Sequence, residues 1–478
     1  MSNIKHFFKY SFSSLIGGLG QFIVLPIFTK FISATDYGIL ALAQVFSGII
    51  FGIINFGLPI SYERNFFEEK LNEKSAELIY SILTYIWVSF IFFSIIFFFS
   101  RNIVSFHLFG SKNYGLLLLF SYFAIGISSI KNYYLIYFKN NLNSTSFLKY
   151  SIDDTVLTLL LSVFFVYYLR VGVIGLIYSQ LISGSAVLIF LTYNFLKIES
   201  YKFDYKMLLK SMKISLPLTP KIFVGILGKS IDKIILNIFN STNGVGLISI
   251  ANRFSNLSFT FLTSIENIYS PKTYKLMFEN KDEKKGGILI GILLTPYIYI
   301  SVFICMVIAF VSYEVLWMLT PNEFHPAANL VVILGMYTSI LFFGKIPQLM
   351  YKKKAYVITI ISIMTVGIGF VFTYILAYKF LIIGAALGTF ISGIITGCLY
   401  FFYSQKAYKI YWETEKIISF YFTFFLGGTI LIAGDLVGIS YHYLAAIKVL
   451  VFSVYILLGF NYKIVSTNLL KKIIYGKF

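Results

Sequence analysis

Three stretches, 171–196, 286–311 and 380–405, each run for more than twenty residues without a charged side chain. A helix needs about 20 mostly apolar residues to cross the hydrocarbon core of a bilayer. In hydrocarbon every backbone polar group must be satisfied within the segment, so such runs fold as helices or in closed barrels. The stretches lack the dyad alternation of a barrel strand, which leaves helices. The same reading extends to fourteen segments: 9–32, 38–62, 76–100, 114–138, 149–169, 171–196, 213–239, 243–269, 286–311, 327–351, 355–378, 380–405, 417–435 and 442–462. The chain is 58% hydrophobic and only 12% charged, against about 25% charged for a soluble domain. An all-α polytopic membrane protein is therefore expected. With such short loops, 478 residues leave no room for a large soluble domain.

The net charge of +19 would suit a nucleic-acid binder, but its distribution does not. With the first residues on the cytoplasmic side, 27 of the 39 lysines and arginines fall on that side, 5 on the other and 7 inside segments. That is the positive-inside pattern. It places both termini in the cytoplasm, makes the loop lysines topology signals attracted to anionic lipid, and excludes nucleic acid as a partner. No cleavable signal peptide is expected at Met1–Tyr10. The richness in Phe, Tyr, Ile and Lys fits an AT-rich bacterial genome. Cys305 and Cys398 lie inside apolar segments, and the four histidines lie near segment ends without metal-ligand spacing. Neither a disulfide framework nor a metal site follows.

The interior charges are the informative ones. A charge at the bilayer centre costs about 2.5–3.5 kcal/mol on insertion scales. The stretch Lys221–Arg253 carries Lys221, Lys229, Asp232, Lys233 and Arg253 in a largely apolar context. On one continuous helix the first four would fall within an arc of about 120°, as if lining a wet cavity; snorkelling to headgroups is the plainer alternative. Lys131, Lys345 (just before Pro347) and Lys448 complete the interior set; Lys448 reads as peripheral. Arg64 sits beside Glu63 at the end of the second segment, where an interfacial ion pair is an equal reading. Asp153 and Asp154 read as charges near the start of the fifth segment.

The chain repeats itself. Phe31-x-Ser33…Gly38-Ile39…Ala43 matches Phe239-x-Ser241…Gly246-Leu247…Ala251 at an offset of 208, and Ile174-Gly175…Ile182-Ser183-Gly184 matches Ile383-Gly384…Ile391-Ser392-Gly393 at 209. Six segments separate the copies, so the halves run parallel, as in transporters that rock about a central site. The expected division is 1–205, 206–410, and a final pair of helices with a tail in 411–478.

Phe12-Ser-Ser-Leu-Ile-Gly, Leu25-Pro26…Ser33-Ala-Thr-Asp36-Tyr37-Gly38, and Gly57-Leu58…Arg64 together resemble the opening of polysaccharide-exporter proteins. These are the Wzx-type flippases of the multidrug/oligosaccharidyl-lipid/polysaccharide superfamily. Asp232-Lys233…Phe239 and Gly246…Ala251-Asn-Arg253 resemble the opening of the same family's second lobe. The resemblance implies about fourteen transmembrane helices, two six-helix lobes in a V and two C-terminal helices. It further implies export of an undecaprenyl-diphosphate-linked oligosaccharide by alternating access, in O-antigen, capsule or exopolysaccharide assembly. Partners implied are the lipid-linked substrate, membrane lipids, and a polysaccharide polymerase with its chain-length regulator.

A diphosphate cannot cross hydrocarbon unaided, and buried Arg and Lys compensate its charge at close range. The substrate-binding candidates are therefore Arg64, Lys131, Lys221, Lys229, Arg253 and Lys345. Asp232 and Glu266 are candidates for coupling transport to Na⁺ or H⁺, with neutralisation of Lys229 or Lys233 as the alternative for Asp232. No catalytic residue, metal or organic cofactor is expected. A peptidoglycan-precursor flippase is a close alternative. A drug/cation antiporter of the superfamily would want a more acidic cavity, a polymerase a large outer loop, and a membrane acyltransferase a buried histidine.

Overall fold

The computed structural model describes residues 18, 20–70, 74–199, 201–280, 282–341 and 346–464. Lys345 lies outside these residues. The described residues are helical and connecting segments with no strand among them, and ten of the helices are long and apolar enough to cross a membrane. The helices are α1 (Gly20–Phe31), α2 (Ala34–Asn55), α3 (Leu58–Lys70), α4 (Ser75–Phe109), α5 (Gly115–Asn140), α6 (Ser144–Val163), α7 (Val173–Ile198), α8 (Tyr205–Gly228), α9 (Ile231–Ile238), α10 (Thr242–Glu279), α11 (Glu283–Leu319), α12 (Ala327–Leu341), α13 (Ile346–Tyr351), α14 (Ala355–Ala407), α15 (Thr414–Val437) and α16 (Tyr441–Asn461).

Local chemistry sets the breaks. The second expected segment, 38–62, divides at Phe56 and Gly57, both in the left-handed region (φ 41° and 70°), into α2 and α3. The fifth begins at Ser144, capped by Asn143 Oδ1 accepting from Ser146 N at 3.1 Å, five residues earlier than expected. The continuous seventh segment, 213–239, is corrected: α8 stops at Gly228, and Ser230 precedes a separate α9. Lys221 and Asp232 therefore lie on different helices, and the single face that would have joined them does not exist. The long α14 folds at Leu381 (φ 46°, ψ −115°), which gives the two segments expected at 355–378 and 380–405.

The chain forms two compact units. One runs to Ser249 and includes Leu319–Phe324; the other comprises Ile250–Met318 and the chain from His325 on. This division follows packing, whereas the sequence repeat follows symmetry. In the first unit α5 is central, against α2, α4 and α7. The C-terminal half of α5 packs rings: Tyr62 on Tyr133 (5.8 Å between centroids), Phe66 on Tyr137 (5.6 Å) and Tyr137 on Phe195 (4.8 Å). Tyr133 donates its hydroxyl to Asn55 Oδ1 at 2.9 Å, which satisfies a polar tip that lipid would leave bare. In the second unit a buried cluster built on α11 takes in Phe420, Phe424, Leu431 and Tyr455 from α15 and α16. Tyr299 stacks on Tyr455 at 4.9 Å, and Tyr455 donates to the Tyr299 carbonyl at 2.8 Å.

The repeat has a structural counterpart. Ser33 caps α2, its Oγ accepting from Asp36 N at 3.1 Å, and the first turn of α2 then crosses the first turn of α10. A Cβ on Gly38 would lie 1.9 Å from Thr242 O, and a Cβ on Gly246 would lie 1.8 Å from Ala34 O. Ala34 and Thr242 are themselves related by the offset of 208. The two copies therefore meet in a reciprocal contact, with the small residue of each facing the backbone of the other. Such close approach is how helices associate where lipid is as apolar as leucine. The second echo differs: its glycines pack on side chains within their own units, Gly184 on Ile127 and Gly393 on Tyr337.

Candidate functional site

Lys131 is the interior cation for which the first unit builds a site. Successive turns of α5 place Ser128, Lys131, Asn132 and Leu135 on one face, and α6 contributes Tyr150, Ser151, Asp154 and Thr155 opposite. These residues and Ser129 line a cavity of about 360 Å³. The Lys131 side chain is 7% exposed and Asp154 26%. They form an ion pair between Nζ and Oδ2. Asp154 is held from the other side as well, since Ser183 Oγ on α7 donates to Oδ1 at 3.1 Å. Asp154 thus sits ten residues inside α6, where it was expected to be a helix-start charge, and that placement is corrected. Tyr150 OH accepts from Asn194 Nδ2 at 2.8 Å, which fixes the ring at the cavity wall. At 1.5 Å per residue, Lys131 and Asp154 both lie about 14 Å from the turn joining α5 to α6.

The cavity can take an anionic group. It offers a buried ammonium, hydroxyls from Ser128, Ser129, Ser151 and Thr155, an amide from Asn132, and an aromatic face. Hydroxyls, an amide and an aromatic ring are also the groups that hydrogen-bond and stack on sugar rings.

The other candidates are dispersed. Arg64 is not among the cavity-lining residues, and neither are Lys221, Lys229 or Arg253. Arg64 bonds Glu68 at 2.9 Å and Asn65 Oδ1 at 2.7 Å, with 60% of its side chain exposed. Its neighbour Glu63 pairs with Lys139 at 2.9 Å, so the adjacent Glu63–Arg64 pair is replaced by two others. Lys210 extends the network to Glu68 (2.7 Å) and Glu69 (2.8 Å). That hydrogen bond holds the Glu68 carboxyl below its usual range, and the same carboxylates raise Lys210 above its own. Lys221 lies on α8, and Lys229 is exposed at the break that follows it. Asp232 is buried in the first turn of α9, accepting from Lys233 N at 2.9 Å. Arg253 and Glu266 are half-buried on α10, each engaged by neighbouring groups.

Sequence reasoning missed one polar cluster. Lys448, expected at the periphery, is 6% exposed. Its Nζ donates to Glu314 at 2.7 Å and to the Phe310 carbonyl at 2.9 Å, 4.4 Å from the Tyr313 ring. Tyr441 OH reaches Glu314 at 2.8 Å, Asn329 Nδ2 bonds Asp435 at 2.6 Å, and Tyr313 donates to Asn329. Two acids and an amide in apolar helices were the available signal: Glu314 in α11, Asp435 in α15 and Asn329 in α12.

The fold is that of a multi-pass helical membrane protein with charged groups in its interior. The chain is similar along 96% of its length to a solved lipid II flippase, MurJ, in an inward closed conformation (16% identity, 99% of that chain, TM-score 0.69). It is similar over 84% to a MOP superfamily transporter from Pyrococcus furiosus (16% identity, 95% of that chain, TM-score 0.59) and over 85% to a MATE transporter in the straight conformation (14% identity, 96% of that chain, TM-score 0.55). At these identities the likeness establishes the fold. No curated protein matches by sequence. The family model described as "Polysaccharide biosynthesis protein" matches residues 27–285, more than half of the chain. The chain belongs to that family.

Proposed function

We propose that the protein moves a lipid-linked oligosaccharide, carried on undecaprenyl diphosphate, from the cytoplasmic to the outer face of the bacterial cytoplasmic membrane by alternating access. The observation that carries this reading is Lys131: a buried ammonium in a polar cavity between apolar helices. Such a group is retained against a cost of several kcal/mol per buried ion, and a transported anion gives it a use. In this reading the lobes are the symmetry-related halves 1–205 and 206–410, both termini are cytoplasmic, and Arg64, Lys221, Lys229, Arg253 and Lys345 are further anion-binding candidates. Asp232 or Glu266 couples the cycle to Na⁺ or H⁺. The glycan then passes to a polymerase with its chain-length regulator.

The test is deletion of the gene. Lipid-linked repeat units accumulating on the cytoplasmic face, with surface glycan lost, support the reading. Unchanged glycan with altered resistance to cationic drugs refutes it in favour of an antiporter. A second reading, transport of a peptidoglycan precursor, is favoured by the near-complete structural overlap with MurJ. It is supported instead if the gene restores growth to cells depleted of their own lipid II flippase.

A further inference from the structure

The Lys131–Asp154 pair has a feature that simple neutralisation does not need. Asp154 lines the cavity with one edge and is anchored outside the pair by Ser183, itself fully buried on α7. Oδ2 faces the lysine; Oδ1 takes the Ser183 hydrogen bond. Releasing Oδ2 therefore leaves the carboxylate tethered. Because its side chain is a quarter exposed, water can solvate the freed oxygen. Lys131 has no such freedom. It is almost wholly buried, carries three donors, and must keep an anionic partner to stay charged in a low-dielectric site.

We propose that Asp154 is a displaceable counter-ion that occupies the anion site of the unloaded transporter, and that a phosphoryl oxygen of the substrate takes its place on Lys131. This rests on the reading of the protein as an exporter of lipid-linked diphosphates and specifies how the cavity selects them. A neutral sugar cannot exchange for a carboxylate without stranding the buried ammonium. A cation is repelled by Lys131 and finds Asp154 already taken. Only an anion able to approach the Lys131 ammonium and accept from it completes the exchange. Ser128, Ser129 and Asn132, which flank Lys131 on α5, are placed to receive the remaining oxygens or the first sugar. Asp154 also sets affinity: by competing for Lys131 it weakens binding, which favours release.

The test uses the full chain in detergent with farnesyl diphosphate as probe and farnesol as its neutral control. The wild-type protein is expected to prefer the diphosphate. Asp154→Asn is expected to bind it at least tenfold more tightly, because the competing charge is gone and the shape is kept. Lys131→Met is expected to lose at least tenfold, and the double variant to bind like Lys131→Met, because the gain acts through the lysine. A folded Asp154→Asn that binds no tighter than wild type overturns the exchange while leaving the diphosphate reading standing. A wild-type protein with no preference over farnesol removes both. If Asp154→Asn does not fold, Asp154→Ala with added formate serves. Formate is expected to raise its unfolding midpoint and to compete with farnesyl diphosphate; binding indifferent to formate overturns the proposal.

Discussion

The reciprocal crossing of α2 and α10 makes a quantitative demand. In Gly38→Ala the new methyl would sit 1.9 Å from Thr242 O, and ordinary van der Waals contact begins near 3.4 Å. The helices must part by the difference, about 1.5 Å; for Gly246→Ala, starting from 1.8 Å, the figure is about 1.6 Å. The obstacle is a helix backbone, which cannot swing aside as a side chain does. The cost of overpacking, about 1–3 kcal/mol, should therefore lie at its upper end for each variant. The two lesions share their remedy. A single separation of about 1.6 Å relieves both, so the double variant should cost about 3–4 kcal/mol, not the roughly 6 expected of independent sites. Unfolding in mixed SDS micelles, with refolding checked, measures all three variants. Either alanine within about 0.5 kcal/mol of wild type would refute the close contact. Additive costs would refute the reciprocity.

Other expectations follow from the ion pairs. Lys448→Ala should destabilise by about 1–3 kcal/mol, because it removes the charged partner of a Glu314 that keeps its bond to Tyr441, whereas the paired replacement Lys448→Met with Glu314→Leu should recover most of the loss; the same micelle titration decides. Arg64→Ala should change stability by under about 1 kcal/mol, as an exposed pair does, and a larger loss would show that Arg64 is a structural strut. The Glu68 carboxyl, held low by Lys210, contributes stability that is present above the usual carboxylate range and lost as pH falls through its lowered value. Acid titration of thermal stability should therefore show a small decline that Lys210→Ala flattens. Tyr133→Phe should cost about 1 kcal/mol through the lost bond to Asn55, and an unchanged stability would deny that bond any net value.

Much of the fold was legible because membrane insertion is dictated by composition over about twenty residues at a time. The hinge at Leu381 was readable as two apolar runs, and the repeat at an offset of 208 was readable too, though not the crossing of Gly38 and Gly246 that it makes. The break after Gly228 was written in the sequence as well: glycine closing one helix, then Ser230 before an acidic first turn. It was hidden because the apolar run continued through it. Lys131 could be singled out, since a lysine flanked by apolar turns is costly wherever it lies. Its partner could not. Asp154 and Lys131 are brought together by the α5–α6 hairpin, and no periodicity links residues on different helices. Lys448 fails for the same reason, with Glu314 134 positions away.

That last separation bears on how the protein is made. A lysine within α16, the last helix among the described residues, must leave the insertion machinery for lipid at a cost of about 2.5–3.5 kcal/mol. Glu314 is synthesised long before it and already belongs to a helix that ends at Leu319. The acid then waits in the membrane for its base. A ribosome that stops short of Tyr441 leaves a carboxylate with no ammonium to meet it. Synthesis of α16 is thus recorded in a single charge pair, which no chain ending before Lys448 can close.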